Sequence, residues 1–314
     1  MTLIDAFSVL VPKSLMRSAD PKAAIASLCL DPSDYAAQSA TSAGAYTAGL
    51  KIVKVCGVTN PDDALAVCRA GANLIGVIFA ERSKRKVTAE QARAVVDTVR
   101  DFGERSGCSS ASYLSAKGMS PLAVLQTKAR TLENAAKRGR PLVVGVFQNQ
   151  EEVFVRQMVE ECGLDLIQLH GKEGMEAASE KKCGVPAIRV VDVETNKDGS
   201  GANEGAVKRL MESITSDPVA ILLDTSIKGS KEGGGTGVTF DWSLIESIQS
   251  NGLPVLVAGG LTPSNVGDCV LQTRPWGIDV SSGVEVTPGK KDKEKVSAFV
   301  NGARKAAEEA SKGF

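Results

Sequence analysis

Residues 255–283 read VLVAGGLTPSNVGDCVLQTRPWGIDVSSG. A short β-branched run, Val255 to Val257, ends on Gly259-Gly260; Thr262-Pro263 then opens a helical stretch, and a second run, Ile278 to Val280, ends on Ser281-Ser282-Gly283. Runs this short and apolar suit parallel strands buried on both faces. Proline just inside a helix start sits where its missing N–H is not needed. Glycine and serine at two consecutive strand ends leave backbone N–H groups open to phosphate oxygens, next to a favourable helix N-terminus.

Upstream the same alternation recurs. Candidate strands lie at Ile52 to Val55, Leu74 to Phe79, Leu142 to Phe147, Leu166 to Leu169, Ala187 to Val191 and Ala220 to Leu223. Helical patterns include Pro61 to Ala70, Ala89 to Phe102, Glu151 to Cys162 and Lys291 to Ala310. With the two runs quoted above this makes eight strand–helix units, the number that closes a parallel barrel, so the fold class is α/β, a (β/α)8 TIM barrel. A doubly wound open sheet is the competing layout, but it has fewer strands and a Gly-x-Gly-x-x-Gly turn after the first, where this chain has Cys56-Gly57-Val58. Two segments stand outside the repeat. Residues 1–48 form an N-terminal extension, and residues 103–140 an insertion between helix 2 and strand 3 of a barrel domain spanning 49–314. Within the insertion Gly103 to Ser120 reads as a Gly/Ser loop, and Leu122, Leu125, Ala129, Leu132 and Ala136 mark one face of an added helix. Both segments are expected to be peripheral, the insertion as a helical hairpin.

Thirty-seven basic and thirty-seven acidic residues cancel, so no electrostatic footprint for nucleic acid or anionic membrane is expected. Apolar residues make up 43% and charged residues 24%, an ordinary globular composition. Seven scattered cysteines, none in a Cys-x-x-Cys pair, read as reduced intracellular thiols. A cytoplasmic location is expected, or a plastid if residues 1–48 are a transit peptide. His170 is the single histidine, which rules out a multi-histidine metal site. Acid–base chemistry then rests mainly on Asp, Glu, Cys, Lys or Tyr.

In such barrels the active site forms at the carboxyl ends of the strands. Those ends carry Lys54-Val55-Cys56-Gly57, the basic Ser83-Lys84-Arg85, Gln168-Leu169-His170-Gly171, Leu222-Leu223-Asp224 and then Gly233 to Gly237. With Ala258-Gly259-Gly260 and Asp279-Val280-Ser281-Ser282-Gly283 they make a set that resembles phosphoribosylanthranilate isomerase, an enzyme of tryptophan biosynthesis. The resemblance is carried by Lys-Val-Cys-Gly-Val-Thr at 54–59, Ser-Lys-Arg at 83–85, Val-Gly-Val-Phe at 144–147 and Gln-Leu-His-Gly at 168–171. Asp224, the Gly-Gly-Thr-Gly-Val-Thr-Phe-Asp-Trp run at 234–242, Ala-Gly-Gly-Leu-Thr-Pro at 258–263 and Asp-Val-Ser-Ser-Gly-Val-Glu at 279–285 complete it. It covers nearly all of Ile52 to Phe299 apart from the insertion.

The resemblance implies an Amadori rearrangement of N-(5-phosphoribosyl)anthranilate, an aldose–ketose isomerisation with Cys56 as general base and Asp224 as general acid. It implies Arg85 as partner of the anthranilate carboxylate, Gln168 and His170 lining the pocket, and Asp279 near the sugar hydroxyls or bonded structurally at the barrel mouth. Gly259, Gly260, Ser282 and Gly283 are expected to hold phosphate, with Gly235 contributing. His170 reads as a packed polar residue, because the mechanism already has its acid and its base. The acid requires a raised pKa and the base a lowered one; Lys54 supplies positive potential to Cys56 only if their strand is regular. No metal and no cofactor are expected. A monomer is expected, with a homodimer as the alternative. An aminoimidazole ribotide isomerase, a ribulose-phosphate epimerase and an inactive scaffold barrel are the rival readings.

Overall fold

The computed structural model describes residues 49–103, 118–137, 139–195, 204–227 and 242–312. Its apolar runs form β1 (Ile52–Cys56), β2 (Leu74–Ile78), β3 (Leu142–Phe147), β4 (Leu166–Leu169), β5 (Ala187–Thr195), β6 (Ala220–Ile227), β7 (Val255–Val257) and β8 (Gly277–Val280). Each pairs in parallel with its successor, and β8 pairs back onto β1, closing the barrel. The fold read from the strand count is thus the fold found.

Among the described residues the intervening helices are α1 (Pro61–Ala70), α2 (Ala89–Asp101), α3 (Pro121–Ala136), α4 (Glu152–Cys162), α5 (Glu180–Cys183), α6 (Glu204–Ser213), α7 (Ser243–Ser250), α8 (Val266–Thr273) and α9 (Lys293–Lys312). Local chemistry sets several of their ends. Asn60 Oδ1 accepts the Asp63 N–H at 2.9 Å with Pro61 next in line, and Thr88 with Gln91 forms a reciprocal capping box before α2. Gly71 and Gly163, at φ 81° and 70°, end α1 and α4 in the left-handed conformation. After β8 a short antiparallel pair, β9 (Glu285–Thr287) and β10 (Lys290–Lys291), takes Lys291, expected as the first residue of the final helix, which turns inward onto Glu285 at 2.9 Å.

Strand alternation divides the core in two. Val53, Val55, Val77, Ile167 and Ile221 pack outward with the helices, whereas Ile52, Leu74, Val144, Leu166, Ile188, Leu222 and Leu256 fill the barrel interior. The interior cluster also contains Ala129, Leu132 and Ala136 of α3. Gln126 Nε2 donates to Gly252 O at 2.7 Å, Lys128 Nζ to Ser216 O at 2.6 Å and Asp217 O at 2.9 Å, and Asn73 Nδ2 to Ala136 O at 3.3 Å. Those partners all lie just before β7, β6 and β2. Helix α3 therefore lies across the amino-terminal mouth of the barrel and seals it, so the expectation of a peripheral insertion is corrected for this helix. The helical face was legible as apolar spacing; the surface it covers was not. The N-terminal extension 1–48 and residues 104–117 of the insertion lie outside the described residues.

The seal makes a prediction. Leu132→Ala removes a buried anchor of α3 and should cost about 2–4 kcal/mol in urea unfolding. An unchanged midpoint would show that α3 does not close the barrel in solution.

Candidate active site

On β1 the inward positions are Ile52, Lys54 and Cys56, and regular pairing with β8 sets Lys54 directly beside Asp279. Lys54 is fully buried, and its Nζ donates to Asp279 Oδ2 at 2.9 Å. Burial works to lower the lysine pKa, but the Asp279 carboxylate and then Cys56 more than reverse this, so the ammonium stays charged. Lys54 is in phase with Cys56, as a regular strand requires. Burial nevertheless pushes the Cys56 thiol up, and the opposing pull of Lys54 and Lys291 does not reverse it. The lowered thiol pKa expected of a base is therefore corrected: the pocket compensates a thiolate with cations but does not preform it. Gly76, paired with Cys56 across β2, makes room for the sulfur, since a Cβ there would stand 2.6 Å from Sγ.

Across the barrel, Asp224 closes the inward face of β6 and is buried. Its register partner on β5 is Asp192. Between them reaches His170, whose Nε2 lies 3.4 Å from Asp192 Oδ1 and 3.8 Å from Asp224 Oδ2. Burial works to lower the imidazole pKa, but the neighbouring carboxylates of Asp192 and Asp224 raise it overall. The reading of His170 as mere packing is corrected by this placement.

Arg85 lies over Gly57, where a Cβ would meet its Cδ at 2.7 Å. Its Nε and Nη2 both donate to Glu285 at 2.8 Å, a bidentate fork, and Glu285 also accepts Lys291 Nζ at 2.9 Å. Thus the expected carboxylate binder is held by an internal carboxylate. On the strand-seven side, Gly259 and Gly260 take φ of 89° and 63°, and Asn265 Nδ2 donates to Gly260 O at 2.9 Å. Gly283 is pressed against this loop: a Cβ there would stand 2.0 Å from Leu261 O. Ser282 is exposed beside it. Gly235 lies outside the described residues.

Four buried polar atoms at this end, Gln168 Oε1, His170 Nε2, Asp279 Oδ1 and Ser281 Oγ, have no hydrogen-bond partner among the described residues. Buried polar groups are seldom left so. The described site residues thus converge on one mouth, with Cys56 and Asp224 three strands apart around the barrel through β8 and β7.

The family model for N-(5'phosphoribosyl)anthranilate (PRA) isomerase matches residues 106–302. The chain belongs to this family. That range contains His170, Asp224 and Asp279 but not Cys56 or Arg85, whose places rest on the barrel geometry and on longer likenesses. A tryptophan biosynthesis protein of Phytophthora nicotianae is 38% identical over 94% of this chain and 54% of its own length. The N-(5'-phosphoribosyl)anthranilate isomerase of Myxococcus xanthus is 37% identical over 80% of this chain and 95% of its own. The chain thus spans about half of the first relative and nearly all of the second. A solved phosphoribosyl anthranilate isomerase in complex with reduced 1-(o-carboxyphenylamino)-1-deoxyribulose 5-phosphate is 29% identical, covering 81% of this chain and 98% of its own, with a TM-score of 0.54.

Of the residues that sequence reasoning did not single out, Glu285 lay in a quoted motif without a role. Asp192 sits one residue past the assigned end of its strand. Gly76 and Lys291 carried no local signal at all.

Two outcomes follow for the ion pairs. Lys54→Met leaves Asp279 buried and unpaired and should cost about 3–5 kcal/mol in urea unfolding, while Lys54→Met with Asp279→Leu should recover much of it; equal losses in both variants would refute the pair. Burial raises the Glu285 pKa, but Arg85 and Lys291 pull it below its ordinary 4.5. Its carboxylate therefore stabilises the fold above pH 4.5, and that contribution is lost as pH falls through the lower folded value. Acid unfolding of Glu285→Gln should show a shallower slope in that window; an unchanged slope would show that Glu285 is not the titrating group.

Proposed function

We propose that this chain converts N-(5-phosphoribosyl)anthranilate to 1-(2-carboxyphenylamino)-1-deoxyribulose 5-phosphate, with Asp224 as general acid and Cys56 as general base. The observation that carries the reading is the set of orphaned polar atoms, Gln168 Oε1, His170 Nε2, Asp279 Oδ1 and Ser281 Oγ, at the barrel mouth that Cys56 and Asp224 share. A polyhydroxylated ligand would satisfy them. The solved relative holding the reduced product supports the same ligand class.

The chemistry asks for two proton transfers on opposite sides of one sugar. Asp224 gives a proton to the furanose ring oxygen, the C1–O bond breaks, and the nitrogen lone pair forms the Schiff base. Cys56 then takes the proton from C2, and that electron pair moves toward C1 and quenches the iminium, leaving an enolamine that tautomerises to the ketone. Lys54 beside the sulfur stabilises the thiolate that must act, which matters because burial disfavours it. Arg85 meets the anthranilate carboxylate while Lys291 keeps the charge of Glu285 neutralised. Gly259, Gly260, Ser282, Gly283 and Gly235 hold the phosphate.

We also place the protein as a monomer in the cytoplasm. Cys56, Cys68, Cys162, Cys183 and Cys269 are free thiols, as a reducing compartment allows, and light scattering of the purified chain tests the monomer.

The test follows loss of substrate fluorescence on freshly generated phosphoribosylanthranilate. Cys56→Ser and Asp224→Asn should each lower kcat by about a hundredfold or more while the fold is retained. A folded wild type that leaves the substrate intact would overturn the activity, and full turnover in either variant would overturn that residue's role.

A further inference from the structure

The proton count of the proposed reaction leaves a debt at each end of the pocket. Each turnover begins with a protonated Asp224 and a Cys56 thiolate and ends with a carboxylate and a thiol. The substrate and product are isomers, so the enzyme must return one proton to Asp224 before it can act again.

His170 is built into the place from which that proton can come. Its backbone is fixed on several sides. The His170 N–H donates to Phe147 O at 2.8 Å, Gln148 Nε2 to His170 O at 3.2 Å, and Arg189 clamps the flanking carbonyls of Leu169 and Gly171 at 2.6 Å each. Glu173 secures that clamp, accepting the Gly171 N–H at 2.8 Å and approaching Arg189 Nη1 at 3.5 Å. With the backbone so held, Nε2 points between Asp192 on β5 and Asp224 on β6, which are paired in register. The two carboxylates differ in solvent access: the Asp192 side chain is 48% exposed and that of Asp224 only 11%.

We propose that Asp192 is a positioning residue of this site, keeping His170 aimed at Asp224, so that His170 returns the proton to Asp224 after each ring opening. This rests on the reading of Asp224 as the acid. In the step, the Nε2–H bond breaks, the proton passes to an Asp224 oxygen, neutral His170 is reprotonated from solvent at the exposed Asp192 side, and the Cys56 thiol gives its proton up to solvent, so that no net proton is taken up per turnover. The charged groups bearing on the imidazole are Asp192 and Asp224, which favour the cation, and Lys54, which opposes it; Asp279 interacts across the same space. His170 protonation is therefore a property of the whole mouth, with Asp192 as its solvent-facing member.

Because His170 is the single histidine of the chain, its imidazole proton gives one uncrowded signal in an NMR titration. In Asp192→Asn that titration should move to lower pH, kcat should fall about tenfold on the alkaline side with KM nearly unchanged, and the descending limb of the kcat profile should move down with it. Asp192→Glu should restore the titration and most of kcat. If Asp224→Asn is inactive but Asp192→Asn keeps both the wild-type titration and the wild-type profile, the role of Asp192 is overturned and the acid assignment stands. If Asp224→Asn turns over normally, the acid assignment falls and the role of Asp192 falls with it.

Discussion

The buried contact between Lys54 and Asp279 joins the first strand to the last, and the organisation of the site follows from it. Closing a sheet of eight strands requires β8 to meet β1 in one register, and that register sets an ammonium against a carboxylate at 2.9 Å. A slip of one residue at this seam would turn one of the two charges toward the helices, among Val53, Val55 and Ile278, and leave the other buried inside without its partner. The pair therefore acts against misregister more than as a source of stability, since buried ion pairs repay their desolvation poorly. Once the register is set, Cys56 and Ser281 must also face inward, because each lies two residues beyond a member of the pair.

The interior is then graded along the barrel axis. Its lower part is apolar, from Ile52, Leu74 and Leu142 through Trp276 to the seal formed by α3. Above this Lys54, Gln168 and Asp279 are fully or nearly buried, and higher still stand His170, Asp192 and Asp224. Sealing the bottom with a helix excludes water from beneath the ion pair, which keeps the local dielectric low and the charges strongly coupled. A helix far from the chemistry thus bears on the electrostatics of the mouth.

The strands were legible because a parallel sheet buried on both faces demands unbroken apolar runs, and Leu142 to Phe147 or Ala220 to Leu223 can hardly be read otherwise. Cys56, Asp224, Asp279 and the Gly259-Gly260 turn were legible because they sit at strand ends within recognisable motifs. Asp192 was not, since nothing local marks the residue where a strand stops facing neighbours and starts facing a pocket. Lys291 and Glu285 were hidden for another reason: a Lys-Lys pair before a helix looks like solvated charge, and only the β9–β10 turn shows one lysine buried against Glu285. The seal formed by α3 was half legible, because periodicity identifies an apolar face but not what that face covers.

The ligand proposed for the pocket bears both a phosphate and a carboxylate, and the pocket keeps several acids of its own. Unpaired carboxylates at the mouth would repel such a ligand at short range. Here Asp279 is matched by Lys54, Glu285 by Arg85 and Lys291, and Asp192 with Asp224 by His170. Among these carboxylates Glu285 has two cations in salt-bridge range, so Arg85 could turn to an incoming carboxylate, as proposed, without stranding a buried negative charge. His170 faces two carboxylates, and in the proposed proton return Asp192 is the one carboxylate of the set that water reaches readily. The uneven pairing thus places spare positive charge where the proposed ligand's carboxylate would arrive and spare negative charge where solvent can carry it.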